Sequence, residues 1–193
     1  MAVAVRVVIA EDEAIIRLDL KEILEEEGYE VVGETGRGDE AVALVREHQP
    51  DLAILDIKMP GRDGLSAARE IVAERRAAVL ILTAFSQRDL VEQARDAGAL
   101  GYLVKPFQRT DLLPAVEVAL GRFRDMLAQE AKVQALEGQL ETRRVVDRAK
   151  GILMDRHRLT ERDAFSFIQQ TAMRERMLMR AVAQKVIDGE LSP

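Results

Sequence analysis

The sequence has no cysteine and only two histidines, His48 and His157, far apart along the chain. Without thiols there is no disulfide framework, no thiol catalyst and no Cys-ligated zinc site. Two separated imidazoles also argue against a His-based metal site or triad. Long hydrophobic runs are missing: none approaches 18 residues, and the opening MAVAVRVVIAEDE meets Glu11, Asp12 and Glu13 before a signal-peptide cleavage pattern can form. These absences predict a soluble, reduced, cytoplasmic protein with no membrane partner. What is present suits a folded chain. Apolar residues make up 48% and charged residues 32% of the 193 positions, which excludes a disordered tail and leaves room for one large domain or two small ones.

The net charge of −6 is unevenly spread. Residues 1–120 carry 14 Lys+Arg against 23 Asp+Glu, and residues 121–193 carry 14 against 11. An acidic module joined to a mildly basic one is the simplest reading, and the basic part suits a polyanion partner.

In the first part, short β-branched runs alternate with helical patterns. Strands are predicted at Val5–Ala10, Tyr29–Val32, Asp51–Ile57, Val79–Thr83 and Gly101–Val104. Helices are predicted at Glu13–Glu27, Asp39–His48, Leu65–Arg75 and Asp89–Ala97, with another opening at Asp111. In the first of these, Ile15, Ile16, Leu18, Leu20, Ile23 and Leu24 are close to helical spacing. Five near-continuous hydrophobic strands, each followed by a helix, imply an α/β fold with a doubly wound, five-stranded parallel sheet.

Ligands of such sheets bind beyond the carboxyl ends of the strands. There the sequence puts Glu11-Asp12, Asp56, Thr83 and Lys105-Pro106. Converging carboxylates repel one another unless a hard cation joins them, and oxygen ligands of this kind suit Mg²⁺. The Thr83 hydroxyl and the Lys105 ammonium are donors fit for a phosphoryl group. Asp56 is the candidate nucleophile, since a carboxylate can form an aspartyl-phosphate.

In these motifs residues 4–120 resemble the receiver domain of a two-component response regulator. The resemblance rests on Glu11-Asp12, on Asp56 within LDIKMPGRDG, on Thr83, and on Tyr102, Lys105 and Pro106 of YLVKP. It implies a flavodoxin-like fold and Mg²⁺ held by Asp12, Asp56 and the backbone carbonyl of Lys58, with Glu11 acting directly or through water. It also implies a histidine kinase as partner, and an aromatic switch at Tyr102 that turns inward as Thr83 moves toward the phosphoryl group. Such a domain is a phosphoacceptor that catalyses only its own phosphorylation and dephosphorylation.

Two rival readings are weaker. Gly36–Ala41 (GRGDEA) fits a dinucleotide-binding pattern, but it follows the second strand, and Asp39 and Glu40 would face the phosphates. An aspartate-nucleophile phosphatase of the haloacid dehalogenase type needs an acid two residues after Asp56, where this chain has Lys58.

Beyond the sheet, Leu113, Val116, Leu120, Phe123 and Leu127 form a helical seam, and the pattern resumes at Val133, Leu136 and Leu140 around Gly138. A helix from about 111 to 142 is predicted, its residues 121–142 connecting the two domains as a candidate coiled coil for self-association. Three short helices follow within residues 143–193. The first is Arg144–Arg158, the second opens at Thr160 with Ala164, Phe165, Ile168 and Ala172 as its buried face, and the third is Arg176–Asp188.

The string AKGILMDRHRLTERDAF (149–165), Ala172 and VAQKVIDG (182–189) resemble the ANTAR output domain. That resemblance implies an RNA-binding transcription antiterminator that engages paired hairpins in nascent transcripts and works as a dimer. Arg144, Arg148, Lys150 and Arg158 are the candidate RNA contacts. Aromatics are scarce here. Phe165 and Phe167 are the only two, with Phe165 assigned to the core, so Arg and amide groups are expected to dominate recognition. Gln169-Gln170 and the Met-rich MRERMLMR (173–180) depart from the family pattern. The alternative is a DNA-binding transcriptional regulator with a helical output domain, for which Arg180, Gln184 and Lys185 supply a thin recognition helix.

Overall fold

The computed structural model describes residues 4–84 and 88–193. Its strands are β1 (Arg6–Ala10), β2 (Glu30–Thr35), β3 (Leu52–Asp56), β4 (Ala78–Thr83) and β5 (Gly101–Val104). Its helices are α1 (Ala14–Glu26), α2 (Gly38–His48), α3 (Gly64–Ala73), α4 (Arg88–Asp96), α5 (Arg109–His157), α6 (Glu161–Glu175) and α7 (Met179–Ile187). The chain divides into two compact units, residues 1–127 and 128–193.

In the first unit the five strands form one parallel sheet in the order β2-β1-β3-β4-β5. Strand side chains alternate between two faces, so both faces must be apolar and both must be covered. Val8, Ala10, Leu55, Val79 and Ile81 pack with α2, α3 and α4, which supply Ala41, Val45, Leu65, Ile71 and Ala94. Val7, Ile9, Ile54, Leu80 and Leu82 pack with Leu20 and Leu24 of α1 and with Leu112, Val116 and Leu120 of α5.

Three expectations change here. The α1 pattern is only half used: Leu20 and Leu24 are buried, but Ile15 is 84% exposed and Leu18 is exposed. The seam from Leu113 holds at Val116, Leu120 and Phe123, but its first position shifts to Leu112. Leu112, Val116, Ala119 and Leu120 are buried and Leu113 is half-buried, so this stretch covers its own sheet, while Leu127, Val133, Leu136 and Leu140 stay exposed. The helices expected at about 111–142 and Arg144–Arg158 are one 49-residue helix. No proline stands between 115 and 157, and at Gly138 the Thr142 hydroxyl donates back to the glycine carbonyl at 2.8 Å. Pro114, in the second turn, forfeits only one backbone bond.

The core of the second unit is Val146, Ala149 and Leu153 of α5 against Ala164, Ile168 and Ala172 of α6 and Val182, Ala183 and Val186 of α7. α6 opens as its sequence predicts. Thr160 Oγ1 accepts from the Asp163 amide at 3.2 Å and donates to the Asp163 carboxylate at 2.7 Å. The assignment of its aromatics reverses. Phe167 packs against the core, whereas Phe165 is 42% exposed, because Ala164 and Ile168 set the buried stripe and Phe165 lies about 100° to one side of Ala164.

Candidate functional site

The strand ends carry the predicted groups to one place. Glu11, directly after β1, is fully buried, and its neighbour Asp12 is exposed. Asp56 ends β3 at 5% exposure and Thr83 ends β4, also buried. Lys105, directly after β5, is tied in register by its amide, which donates to the Thr83 carbonyl at 2.8 Å. The peptide bond from Lys105 to Pro106 is cis. Asp12, Asp56, Thr83 and Lys105 share a cavity of about 310 Å³ that is also lined by Glu13, Ile57, Lys58, Ala84 and Leu90.

One ammonium holds the acids together. Lys105 Nζ lies 2.7 Å from Glu11 Oε2, 3.1 Å from Asp56 Oδ1 and 3.9 Å from Glu13 Oε1. Burial pushes the Asp56 and Glu11 carboxyls above their ordinary values. Lys105 opposes that rise at both, and Asp12 adds to it at Asp56. Burial works against the Lys105 charge as well, but its contacts with Glu11 and Asp56 outweigh it and raise its pKa. Glu11 Oε2 meets Lys105 as an ion pair by distance and has no well-aligned hydrogen bond.

That imperfect satisfaction is one reason the donor set fits a hard cation. The other is geometric: Glu11, Asp12 and Asp56 each offer an oxygen within 4.8 Å of the other two. Octahedral Mg²⁺, with oxygens at roughly 2.1 Å, spans about 4 Å between opposite ligands, so small side-chain shifts suffice. This acidic pocket could bind Mg²⁺.

The loop after β3 is pressed onto the site. The Gly64 amide donates to the Ile57 carbonyl at 2.9 Å, and a Cβ on Gly64 would stand 1.8 Å from the Asp56 carbonyl oxygen. α3 therefore starts against the backbone of Asp56, with Asp63 capping it by accepting from the Ser66 amide at 2.9 Å. Gly64 and Glu13 were not singled out in the sequence. Gly64 is visible there only as the last residue of LDIKMPGRDG, and Glu13 becomes a site residue only through the turn from β1 into α1.

Of the other predicted residues, Tyr102 is 48% exposed on β5, with Ile81 as its partner on β4. Lys58 lines the cavity mouth with its side chain exposed. Gly38 of GRGDEA packs on the Arg62 carbonyl, which a Cβ would approach to 2.0 Å, so close backbone packing explains that glycine without a nucleotide. In the second unit Arg144, Arg148 and Arg158 are exposed, but Lys150 is half-buried and ion-paired with Asp147 and Glu161, each at 2.8 Å.

The response regulator receiver domain family matches residues 7–117, and the ANTAR domain family matches residues 134–187. The chain belongs to the response regulators that carry an ANTAR domain. This response regulator is 58% identical over 187 residues to the transcriptional regulatory protein PdtaR of Mycobacterium tuberculosis, covering 97% of this chain and 91% of PdtaR. Its receiver part is 40% identical to the chemotaxis protein CheY of Bacillus subtilis over 116 residues, 60% of this chain and 97% of CheY. Among solved structures, the receiver domain of the response regulator NarL of Mycobacterium tuberculosis superposes with a TM-score of 0.60 at 34% identity, over 62% of this chain and 98% of that one. A LuxR-family response regulator from Aurantimonas gives 0.58 at 29%, over 67% and 99%.

The response regulator is thus a two-component protein. Its receiver implies a kinase as partner and its ANTAR domain implies RNA. No helix among the described residues is long and apolar enough to cross a membrane.

Proposed function

We propose that Asp56 is phosphorylated by a sensor histidine kinase and that the phosphorylated chain acts as a cytoplasmic transcription antiterminator. The carrying observation is the single ammonium of Lys105 within 3.1 Å of both Glu11 and Asp56 at the strand ends. An Asp56 carboxylate oxygen attacks phosphorus while the bond to the kinase histidine nitrogen breaks, and Lys105 is placed to meet an oxygen of the arriving group. Asp12, Asp56 and the Lys58 carbonyl would hold Mg²⁺, with Glu11 acting directly or through water, and the bound ion would supply the positive charge that lets this anion form among carboxylates. Thr83 then moves toward the phosphoryl group and Tyr102 turns inward from its exposed position, altering the surface of β4, β5 and the adjoining helices. The receiver turns over nothing besides its own phosphoryl group.

The output is binding of paired RNA hairpins by a homodimer. Arg144, Arg148 and Arg158, with Lys150, supply phosphate contacts, and the exposed Val133, Leu136 and Leu140 of α5 supply the seam between copies. A small-molecule phosphodonor with Mg²⁺ should add one phosphoryl group to the wild-type chain and none to Asp56→Asn; labelling that persists in the variant removes Asp56 as acceptor. A gel shift with a two-hairpin RNA and duplex DNA of equal length tests the output. Preference for the DNA would replace antitermination by DNA-binding regulation.

A further inference from the structure

In the second unit a groove of about 580 Å³ runs between α5 and the two helices that follow. It is lined by the α5 stretch from Ala135 to Lys150, by Phe165 of α6 and by Met179 of α7. Val146, Phe165 and Met179 make its lining apolar, and Gln139, Arg143, Asp147 and Lys150 add polar groups, with Asp147 paired to Lys150 at 2.8 Å and to Arg143 at 3.9 Å. A half-exposed phenyl ring beside an apolar trough is a poor surface to leave to water and a good one for a flat aromatic ligand.

We propose that this groove receives an unpaired nucleobase of the RNA, stacked on the ring of Phe165. The proposal rests on the RNA-binding reading above and adds to it the site where sequence is read. Three observations favour a base over other occupants. First, cations flank the ring: Arg143 on α5 and Arg162, one turn before Phe165 on α6, are both exposed. Arg143 lies 3.9 Å from Asp147 and is 82% exposed, so both cations remain open to the phosphates that flank a flipped-out nucleotide. Second, amide groups that can address a base edge stand close by. Gln139 is on the rim, and Gln169, one turn after Phe165, is exposed. Third, the groove and the exposed apolar stripe are different faces of one helix. At about 100° per residue, Ala135, Gly138, Thr142 and Val146 centre roughly 150° around α5 from Val133, Leu136 and Leu140, whereas Arg143 and Asp147 of the lining border the stripe. A second copy seated on the stripe borders Arg143 and Asp147 and leaves the apolar lining at Ala135, Gly138 and Val146 open. Arg144 and Arg148 point roughly opposite the groove by the same geometry, so they serve the RNA backbone and not this base.

The chain has no tryptophan, so Phe165→Trp gives a reporter with no background. The test uses the full chain and RNA selected from a pool of two-hairpin molecules with randomised loops, beside a fully paired RNA of the same length. The selected RNA should quench the indole of Phe165→Trp, and the fully paired RNA should not. Phe165→Leu, which keeps an apolar side chain, should weaken binding of the selected RNA about 10- to 100-fold, the range expected for one lost base stack. Its affinity for fully paired RNA and its helical circular dichroism should stay unchanged, and Phe165→Trp should bind the selected RNA like wild type. Wild-type affinity in Phe165→Leu, or an unquenched indole in a bound complex, overturns the stacking site while leaving RNA binding intact. If no RNA is enriched by the wild-type chain, the RNA reading falls and this site falls with it.

Discussion

Replacing Asp56 by Asn in the metal-free protein should make it more stable. At an effective dielectric constant of 20, the 3.1 Å contact with Lys105 favours the Asp56 charge by about 5 kcal/mol. Glu11, with an oxygen no more than 4.8 Å away, opposes it by at least about 3.5 kcal/mol on the same scale. Asp12 adds a smaller repulsion because it is exposed and screened. The Coulomb terms thus nearly cancel. What remains is the desolvation of a carboxylate that is 5% exposed, a penalty of several kcal/mol for a buried ion. Asparagine keeps the shape without the charge, and Lys105 keeps Glu11 as a partner. The net gain should be about 1–3 kcal/mol, or roughly 3–10 °C in melting temperature for a unit of this size. Thermal melts of both proteins in a chelator at about pH 7.5 measure it directly. Added Mg²⁺ should then stabilise the wild type and affect Asp56→Asn much less. An Asp56→Asn protein that melts at or below the wild type in chelator would refute the claim that desolvation dominates this site.

Three further outcomes are expected. The carboxyls of Asp56 and Glu11 sit above their ordinary 3.8 and 4.5, so the metal-free fold loses stability as pH rises from those values through the raised ones. Mg²⁺ must displace these protons, so the rise in melting temperature it gives should be larger at about pH 7.5 than at about pH 5, and an equal rise at both would contradict it. Burial and a 2.6 Å hydrogen bond donated to Glu117 push the Tyr29 hydroxyl up to about 12, so an ultraviolet titration should show a late phenolate phase that Tyr29→Phe removes. Gly64→Ala drives a methyl into the Asp56 carbonyl and should cost about 3 kcal/mol and lower the rate of phosphodonor labelling; a variant with wild-type melting would show that the loop can step aside.

The strand-end site was legible because its residues occupy repeated, predictable places. Hydrophobic runs mark the strands, and in a parallel sheet the residues that end or directly follow those runs come to the same edge. Glu11, Asp56, Thr83 and Lys105 follow from that rule alone. The faces of α5 and α6 were less legible, since apolar residues at helical spacing do not say which of two adjacent positions faces inward. Leu112 against Leu113, and Phe167 against Phe165, were decided by what each helix packs on. The α1 pattern likewise included Ile15, which no described residue of that unit covers.

By itself, then, the sequence determined the five-stranded parallel sheet, the acids and the lysine at its carboxyl edge, and the capped start of α6. Each of these depends on local periodicity or on short motifs. Tertiary structure decided the pairing of one ammonium with two buried carboxylates, the closeness of Gly64 to the Asp56 carbonyl and the exposure of the Phe165 ring. Those are distances between segments remote in sequence, and only packing sets them.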